Sequence, residues 1–356
     1  MPIASSFLIT PLLAFALCFL LHIAALRLFP YWGLLDFPER YGLIRARIPY
    51  PTGILSVATF LLCIPALFPH PRDAIGLVIG ILILATFCFM DDRRTLTPWL
   101  RIGVQALVAM ILFLAGARIY SLTNPLEHVI GGAVIPLDKL TLTLPHFGPL
   151  SIIGALFTIL WLGLTINALN WFDGIPGQVS TLSTIGFLTI GFLSLSSRVD
   201  DPALAQISFV LAGISAASLL FDFPPPRVIL GDSGSMFYGL MMGVLTINAG
   251  KGKVATAFLV LGVPLIDSII VSLRRIAQGR SPLRGSQSGE HLHHRLLAKG
   301  WKSRTIIFLT ASLGTIFGVT ALFLTTFTKF VAALILFAMM LGLSWYSRPG
   351  KSERSS

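Results

Sequence analysis

The chain reads NALNWFDGIPG over residues 167–177, directly after an apolar run over residues 150–166. Two asparagines, an aspartate and a glycine turn thus follow a segment of about the length of a membrane helix. An acidic side chain at bilayer depth costs roughly 2.5–3.5 kcal/mol on insertion scales, so such groups usually mark a functional site. The stretch therefore predicts a helical membrane protein with polar chemistry at helix ends.

Two other polar segments are placed in the same way. Asp91 and Asp92 close the apolar run over residues 74–90, and the sequence GDSGS at residues 231–235 lies between two further runs. Repetition of this pattern predicts that several membrane helices bring polar groups to one membrane face, where an enzyme could carry out its chemistry.

The composition indicates a polytopic membrane protein. Of the 356 residues, 55% are hydrophobic and 12% are charged, whereas a soluble domain carries about 25% charged residues. About eleven windows are apolar and long enough to be membrane spans: 6–29, 52–68, 74–90, 98–119, 150–170, 178–196, 202–221, 235–250, 253–273, 305–326 and 328–346. We predict an all-α polytopic fold of about eleven transmembrane helices, with a single catalytic domain over residues 1–346 and a disordered tail over residues 347–356.

The apolar windows also bear on processing and redox state. No basic residue precedes the first apolar core, so we expect a retained span and not a cleaved signal peptide. Cys18, Cys63 and Cys88 all lie inside apolar windows. Buried free thiols are therefore expected, and no disulfide framework.

The basic residues, which give a net charge of +11, are unevenly divided between alternate loops. One set of loops holds Arg40, Arg45, Arg47, Arg93, Arg94, Arg227, the segment 274–304, Arg348, Lys351 and Arg354. The other set holds only Arg72, Arg118, Lys139, Arg198, Lys251, Lys253 and Lys329. The positive-inside rule places the first set, and with it all the polar motifs, in the cytoplasm. The amino terminus is then expected outside and the carboxyl terminus inside.

The longest external loop, residues 121–148, contains an alternating sequence. Residues 135–144 read IPLDKLTLTL. Alternation of apolar and polar residues is typical of a short strand, so the loop is predicted to contain a short β-hairpin.

Asp91 and Asp92 are followed by Arg93 and Arg94. Adjacent acids repel each other, so they are tolerated best beside a cation or a metal ion. A solvated charge cluster at a helix end is the alternative interpretation.

Asn170 and Asp173 are three residues apart and share one face if the helix continues. Both offer oxygen ligands suited to Mg²⁺, which prefers one or two carboxylates together with substrate phosphates. A helix-terminating turn is the alternative, because Asp followed by Gly is a common turn sequence. The membrane context favours a functional site.

Asp232 lies in a glycine-rich turn that leads into another span. Backbone N–H groups at such a helix start can bind phosphate. The same letters occur around the nucleophile of trypsin-like proteases, but nothing here has that β-rich architecture, so Ser233 is not expected to be a nucleophile.

A histidine cluster follows in the longest internal loop. His291, His293 and His294 with Arg295 could bind phosphate or a polar substrate. Zinc is the competing interpretation, but the three cysteines lie far off and catalytic zinc needs convergent ligands. Asp267 lies within a span, where either a buried polar partner or a functional role is expected.

In this order, the motifs resemble those of the polyprenyl-phosphate N-acetylhexosamine-1-phosphate transferases. This integral membrane family includes the enzymes that start O-antigen and teichoic acid glycans, and the phospho-MurNAc-pentapeptide translocase. The likeness extends from residues 36–38 (DFP) and 49–53 (PYPTG) through Arg275 to the histidine motif. That motif, with Arg295 after it, is more similar to the GlcNAc-1-phosphate branch than to the translocase, whose three histidines are consecutive.

The resemblance implies a reaction. The phosphate of a polyprenyl lipid, such as undecaprenyl phosphate, attacks the β-phosphorus of a UDP-N-acetylhexosamine, with GlcNAc the first candidate sugar. A polyprenyl-diphospho-sugar forms and UMP leaves, which would initiate a cell-envelope glycan. The family implies an Mg²⁺ cofactor, with Mn²⁺ a second candidate, and a location in the inner (plasma) membrane with a cytoplasmic active site. No nucleic-acid partner is expected, and a homodimer is left open.

Carried over motif by motif, the resemblance assigns roles to residues of this chain. Asp232 is the first metal ligand and Asn170 the second, and Asp91, Asp92 and Asp232 are the catalytic candidates. The substrate-binding candidates are Asn170, Asp173, Gly174, Arg227, His291, His293, His294 and Arg295.

Some positions depart from the family pattern. Pro176 stands where a second acid or an amide is usual, Ile229 where an aromatic residue is common, and Asp222 where asparagine is expected. The first loop has Arg45 and Arg47 in place of the usual Lys-x-His. Since the first two positions are associated with uracil, contacts to the base are expected to differ from those of the family.

Two alternatives to an active transferase are considered. A transporter would use Asp267 and the carboxylates at helix ends as a proton or cation path, but it needs polar groups that reach both faces. A catalytically altered homologue would act as a scaffold in a glycan pathway. Both make predictions that differ from those of an enzyme releasing UMP.

Overall fold

The computed structural model describes residues 2–41, 44–68, 70–124, 127, 131–132, 134–145, 148–249, 258–259, 261–281 and 289–347. These residues form a helical bundle with two small β-hairpins. The helices are α1 (Pro2–Tyr31), α2 (Gly53–Leu67), α3 (Pro71–Arg93), α4 (Pro98–Leu114), α5 (Ile152–Phe172), α6 (Gln178–Leu195), α7 (Pro202–Asp222), α8 (Asp232–Ala249), α9 (Gly262–Ala277), α10 (Leu292–Ala298), α11 (Ser303–Phe323) and α12 (Thr326–Tyr346).

The helices confirm a multi-pass membrane protein. Within the described residues, seven helices are long and apolar enough to cross a bilayer, namely α1, α3, α5, α6, α7, α11 and α12. Each of the eleven apolar windows contains all or part of a helix, but α2, α4 and α9 have only 15, 17 and 16 residues, and α8 is not among the seven. At 1.5 Å per residue, a helix of their length spans less than the roughly 30 Å of hydrocarbon. The predicted count of eleven spans is therefore not confirmed.

The predicted hairpin is present as two hairpins. Strand β1 (Ser121–Thr123) pairs with β2 (Val134–Pro136), and β3 (Thr141–Leu144) pairs with β4 (Gly148–Ser151), both antiparallel. The alternating sequence thus divides between β2 and β3 because Leu137 and the turn after it separate the two pairs. Ser151 then caps α5 by accepting a hydrogen bond from the Gly154 N–H at 2.8 Å.

The prediction of buried thiols is confirmed for Cys18 and Cys88. Cys18 and Cys88 are buried, Cys63 is partly buried, and all three are free. Of the predicted tail, only Ser347 belongs to the described residues; residues 348–356 lie outside them.

Helix α8 lies at the centre of the bundle. All its residues over 233–247 are buried, and α2, α3, α5, α6 and α7 all contact it. A helix that is apolar on every side can be stable only when it is covered on every side. The burial of α8 therefore brings the ends of the surrounding helices around its first residue, Asp232.

The first loop is hydrogen-bonded to the segment that precedes α8. The Ile229 N–H donates to the Pro49 carbonyl at 2.9 Å, and the Gly53 N–H donates to the Leu230 carbonyl at 2.8 Å. Thr52 adds a backbone and a side-chain bond to the Ile229 carbonyl. The family-like PYPTG motif therefore fixes the position of the glycine turn before Asp232.

The starts of α2 and α8 touch through two glycines. A Cβ atom on Gly53 would lie 2.1 Å from the Gly234 nitrogen and 2.3 Å from its Cα. Both are backbone atoms, so no side-chain rotation can relieve the overlap. Glycine at position 53 is thus required by the close approach of the two helices.

We predict that Gly53→Ala destabilises the protein, because the added methyl group forces α2 away from α8. Overpacking of this kind costs about 1–3 kcal/mol or more. The midpoint of thermal unfolding, followed by circular dichroism in detergent, measures the effect. Gly163→Ala is the matched control: it lies within α5 with no neighbouring atom within 4 Å of the added Cβ, so its midpoint should equal or exceed that of the wild type. Equal midpoints for both variants would contradict the proposed contact.

Candidate active site

The carboxylate of Asp92, at the end of α3, caps the first turn of α8. Its Oδ1 accepts hydrogen bonds from the Tyr50 hydroxyl at 2.6 Å and from the Asp232 N–H at 2.8 Å. Its Oδ2 accepts from the Ser233 N–H at 3.0 Å and from the Ser233 hydroxyl. Helix N-termini have unsatisfied N–H groups and favour negative charge. Asp92 therefore fixes where α8 begins and holds the backbone of Asp232.

A second cluster joins four helices around Arg101 of α4. Its guanidinium forms an ion pair with Asp91, lies 3.0 Å from the Asp232 carboxylate, and donates to Asn170 Oδ1 at 3.2 Å. The Asn170 amide in turn donates to Asp232 Oδ1 at 2.8 Å. The structure thus brings Asp91, Asn170 and Asp232 together, as the sequence predicted.

Arg101 is the site residue that the sequence analysis did not identify. It lies inside the apolar window 98–119. An ionisable residue within a membrane span is by itself a signal of a functional site, so the sequence could have indicated Arg101. The sequence could not indicate which residues Arg101 contacts, because they lie on three other helices.

A pair of amides lies one turn deeper and aligns α4 with α5. Asn167 donates to Gln105 Oε1 at 2.6 Å, and Gln105 donates to Asn167 Oδ1 at 3.3 Å. Gln105 follows Arg101 by four residues, and Asn167 precedes Asn170 by three, so each pair shares one helix face. Interhelical hydrogen bonds of this kind stabilise helix pairs in membranes. The amide pair sets the register that places Arg101 opposite Asn170.

Asp173 does not share a continuing helix with Asn170. Helix α5 ends at Phe172, and Asp173 is its C-terminal cap with φ −80° and ψ 39°. The expected helical face is therefore not formed, because the glycine turn that follows ends the helix. The interpretation as a helix-terminating turn is confirmed for Asp173, whose side chain is half-buried.

The surroundings of Asp173 are negative. Burial raises the pKa of its carboxyl group well above the usual range, and the negative charges of Asp222, Asp232 and Asp92 raise it further. Like charges that raise the pKa of one another are relieved by an added cation. This end of the bundle is thus suited to bind positive charge.

The oxygen ligands here fit Mg²⁺ better than a metal held by protein alone. Over the described ranges, no group of three or more acidic, histidine or cysteine side chains could hold a metal ion. Mg²⁺ is usually bound by one or two carboxylates and completed by water and substrate phosphates. Asp232 and Asn170 have a carboxylate and an amide oxygen of the required kind, and a metal ion held by them would take the place of the Arg101 guanidinium at these oxygens.

The histidine motif packs against the end of α5. The ring of His293 lies edge-on to Phe172 with centroids 5.9 Å apart, and the ring of His291 lies 5.9 Å from Trp171. A Cβ on Gly174 would meet His293 Nε2 at 2.0 Å and His294 Cε1 at 3.0 Å. Only glycine at position 174 allows this approach, which brings the predicted motifs together.

His293 and His294 favour the neutral imidazole. Burial lowers the pKa of His293 well below its usual range, and the neighbouring His294 and His291 lower it further. The pKa of His294 is also lowered, by burial and by His291. Neither ring nitrogen of His293 has a hydrogen-bond partner in the part of the chain that the structure describes. Neutral rings with unused nitrogens suit hydroxyl or amide groups better than phosphate.

Asp267 is the buried partner of the histidine motif. Its Oδ2 lies 2.7 Å from His291 Nδ1, and its Oδ1 accepts from the Leu292 N–H at 3.0 Å. Both side chains are buried. Of the two interpretations for Asp267, the structure supports the polar partner, which orients the His291 ring and the start of α10.

Two predicted substrate-binding arginines are directed at helix ends. Arg227 donates to the Leu220 carbonyl at 2.8 Å and lies over the Phe221 ring. Arg295 donates to the carbonyl and hydroxyl oxygens of Ser344, each at 2.9 Å. Backbone carbonyls at helix C-termini attract cations. These contacts stabilise α7 and α12, and they do not bring either guanidinium to Asp232.

The chain is similar to known glycosyltransferases and sugar-phosphate transferases. A family model described as glycosyl transferase family 4 matches residues 74–250. The undecaprenyl-phosphate alpha-N-acetylglucosaminyl 1-phosphate transferase of Yersinia pestis is 30% identical over 323 residues, 87% of this chain and 83% of the relative. The probable undecaprenyl-phosphate N-acetylglucosaminyl 1-phosphate transferase of Bacillus subtilis is 26% identical, over 75% of this chain and 70% of the relative. The decaprenyl-phosphate N-acetylglucosaminephosphotransferase of Mycolicibacterium smegmatis is 30% identical, over 72% and 65%.

We predict that acid destabilises the protein through the histidine motif. A histidine whose pKa is lower in the folded than in the unfolded protein binds its proton more readily when unfolded. The free energy of unfolding is then highest above the unfolded-state pKa of about 6.5. Below that pH it decreases by up to about 1.4 kcal/mol per pH unit for each such group. Unfolding midpoints measured between pH 8 and pH 5.5 should therefore decrease.

The variant His293→Gln tests which group is responsible. Its midpoint should depend less steeply on pH below 6.5 than that of the wild type. His70→Gln, at an exposed position before α3, is the matched control and should keep the wild-type slope. Parallel curves for all three proteins would exclude His293 as the titrating group.

Proposed function

The chain belongs to glycosyl transferase family 4, and we propose that it transfers N-acetylglucosamine 1-phosphate from UDP-N-acetylglucosamine to a polyprenyl phosphate such as undecaprenyl phosphate. An oxygen of the lipid phosphate forms a bond to the β-phosphorus, and the bond from that phosphorus to the UMP oxygen breaks. The observation that carries this proposal is the meeting of Asp91, Arg101, Asn170 and Asp232 at one end of the bundle.

The position of the site supports a lipid substrate. The ends of α3 and α5 and the starts of α4 and α8 meet here, so the reacting groups lie where helices leave the bilayer. A lipid phosphate lies at the same depth, at the membrane surface. The basic loops on this side support a cytoplasmic site in the inner membrane.

The charges of the site suit the meeting of two anionic substrates. Arg101 is placed to neutralise phosphate oxygens, since arginine forms strong bidentate hydrogen bonds with phosphate. Asp232 and Asn170 would hold Mg²⁺, which when bound neutralises and orients phosphate oxygens. In phosphoryl transfer, such positioning and charge stabilisation supply most of the catalysis.

The two adjacent aspartates differ in their contacts, which supports different roles. Both oxygens of Asp92 accept hydrogen bonds from the start of α8, which favours a positioning role over that of a base. Asp91 is paired with Arg101 and is the better candidate to orient that guanidinium towards phosphate.

Neutral imidazoles support recognition of the sugar. His293 and His294 lie against Gly174, beside Asp173 and close to the carboxylate cluster. Their ring nitrogens can exchange hydrogen bonds with the hydroxyl and acetamido groups of N-acetylglucosamine. Asp173 and Gly174 would then lie on the nucleotide side, as the family resemblance implies.

We predict that Asp232→Asn lowers Mg²⁺-dependent turnover by roughly 10²-fold or more, because the metal site loses its carboxylate. Purified protein is supplied with undecaprenyl phosphate, Mg²⁺ and a panel of nucleotide sugars, and release of nucleoside monophosphate is measured. Asp138→Asn, an exposed aspartate after β2, is the control and should keep full activity.

Three outcomes of this assay would contradict parts of the proposal. Near-normal turnover by Asp232→Asn would remove the metal assignment. If only a sugar nucleotide other than UDP-N-acetylglucosamine released a monophosphate, the proposed donor would be wrong. No release from any donor, with substrate flux into sealed vesicles, would favour a transporter.

We further predict that Arg101→Gln lowers kcat/KM by about 10²–10³, since removal of one positioned charge-stabilising group costs about that much. Arg101→Lys, which keeps the charge but not the bidentate geometry, should fall between wild type and Arg101→Gln. Arg93→Gln is the matched control: it removes an arginine next to the aspartate pair, whose guanidinium donates to the Gly33 carbonyl at 3.0 Å. Equal losses of kcat/KM for Arg93→Gln and Arg101→Gln would show that activity depends on the local positive charge and not on the position of the Arg101 guanidinium.

A further inference from the structure

Tyr50 contacts both the carboxylate that caps α8 and the glycine turn that precedes this helix. Its hydroxyl donates to Asp92 Oδ1 at 2.6 Å. Its ring lies against Gly231, because a Cβ atom at that position would meet Tyr50 Cε2 at 2.9 Å. One partly buried side chain of the first loop thus touches the two features that determine where α8 begins.

The main chain of the first loop holds Tyr50 in place. The Tyr50 N–H donates to the Leu34 carbonyl at 3.0 Å, and Leu35 and Pro49 form an antiparallel bridge. The Pro49 carbonyl accepts from the Ile229 N–H at 2.9 Å. The backbone of Tyr50 is therefore fixed relative to the segment that leads into α8.

The hydroxyl restrains one oxygen of the Asp92 carboxylate. Oδ1 accepts from the Tyr50 hydroxyl and from the Asp232 N–H at 2.8 Å, whereas Oδ2 accepts from Ser233. A distance of 2.6 Å is typical of a hydroxyl that donates to an ionised carboxylate, a bond about twice as strong as one between neutral groups. Among the described residues, removal of the hydroxyl leaves the Asp232 N–H as the one donor to Oδ1. The carboxylate then rotates more freely about its Cβ–Cγ bond.

Asp232 connects this hydrogen bond to the candidate site. Its N–H is bonded to Asp92, and its carboxylate lies 3.0 Å from Arg101 and accepts from Asn170 at 2.8 Å. The position of the carboxylate therefore depends on how firmly the first turn of α8 is held. A misplacement of about 1 Å at a catalytic group can cost roughly 10²-fold in rate. A small movement of this turn is thus enough to lower activity.

We propose that Tyr50 is a positioning residue: its hydroxyl holds the Asp92 carboxylate on the first turn of α8 and thereby fixes Asp232 in the site. Tyr50 acts through Asp92 and not on the substrate. The effect on turnover rests on the proposed transferase function, whereas the effect on the start of α8 can be measured without substrate. The two effects are therefore tested separately.

The variant Tyr50→Phe removes the hydroxyl and keeps the ring against Gly231. Release of UMP from UDP-N-acetylglucosamine is measured on the purified full-length protein with undecaprenyl phosphate and Mg²⁺. We expect kcat to fall by roughly 10-fold and KM for the donor to change by less than about 2-fold, because the lost hydrogen bond orients a reacting group and does not bind the donor. A purely structural contact would lower the unfolding midpoint without changing the kcat of the folded protein.

Hydrogen–deuterium exchange gives a second readout that needs neither substrate nor metal ion. Asp92 accepts from the backbone N–H groups of Asp232 and Ser233, so these two amides report directly on the contact. In Tyr50→Phe they should exchange roughly 10-fold faster than in the wild type, since weaker capping lets the first turn of α8 open more often.

Tyr120→Phe is the matched control. The Tyr120 hydroxyl accepts from Arg118 at 3.2 Å beside β1, so this variant also removes one tyrosine hydroxyl that is bonded to a charged side chain. Its kcat, and its exchange rates at residues 232–233, should equal those of the wild type.

A comparison in the Asp92→Ala background tests the route of the effect. If Tyr50 acts through Asp92, adding Tyr50→Phe to Asp92→Ala should change kcat by less than about 2-fold, because residues that share one interaction are not additive. Where Asp92→Ala turns over too slowly to assay, its exchange rates serve for the same comparison.

Three results would overturn the proposal. The first is a kcat of Tyr50→Phe equal to that of the wild type, and the second is unchanged exchange at residues 232–233. The third is a full effect of Tyr50→Phe in the Asp92→Ala background, which would mean that Tyr50 acts by another route. A wild-type protein that releases no monophosphate from any donor would instead contradict the transferase function. The exchange comparison would then decide alone whether Tyr50 holds the start of α8.

Discussion

The capping of α8 by Asp92 is the interaction on which the candidate site depends. Helix α8 is buried on every side, so the N–H groups of its first turn must find acceptors inside the protein. The carboxylate of Asp92 accepts from two of these groups and from two hydroxyls. The side chain that caps the helix therefore also sets the distance between α3 and Asp232. Close contact between Gly53 and Gly234 and the pairing of residues 49–53 with residues 229–230 hold the same turn from the other side.

The site has two parts with different electrostatics. Asp91, Asp232 and Asn170 surround Arg101, a charged region suited to cations and phosphates. His293 and His294 favour the neutral form because burial disfavours the charged ring. They lie against Gly174 and suit the uncharged groups of a sugar. Burial thus places neutral rings next to a cluster of charged side chains.

Three positions that depart from the family pattern have structural contacts or turn positions of their own. The backbone of Ile229 is used in pairing with Pro49 and Thr52, and Asp222 accepts a hydrogen bond from Ser180 at 2.7 Å within the bundle. Pro176 lies in the turn between α5 and α6. The residues that converge on Asp232 match the family motifs.

The sequence alone was enough to predict a helical membrane protein, the polar helix ends and the convergence of Asp91, Asn170 and Asp232. The first two follow from local properties, because the length of an apolar run and the cost of a charge in a bilayer can be evaluated within one segment. The convergence was expected because the motifs share one set of loops and resemble those of a known family. Only the tertiary structure decided which side chains serve these groups. The pairing of Arg101 with Asp91, the alignment of Gln105 with Asn167, the capping role of Asp92 and the direction of Arg295 towards Ser344 all join residues on different helices. Contacts of this kind depend on the packing of helices around α8, which no single segment specifies.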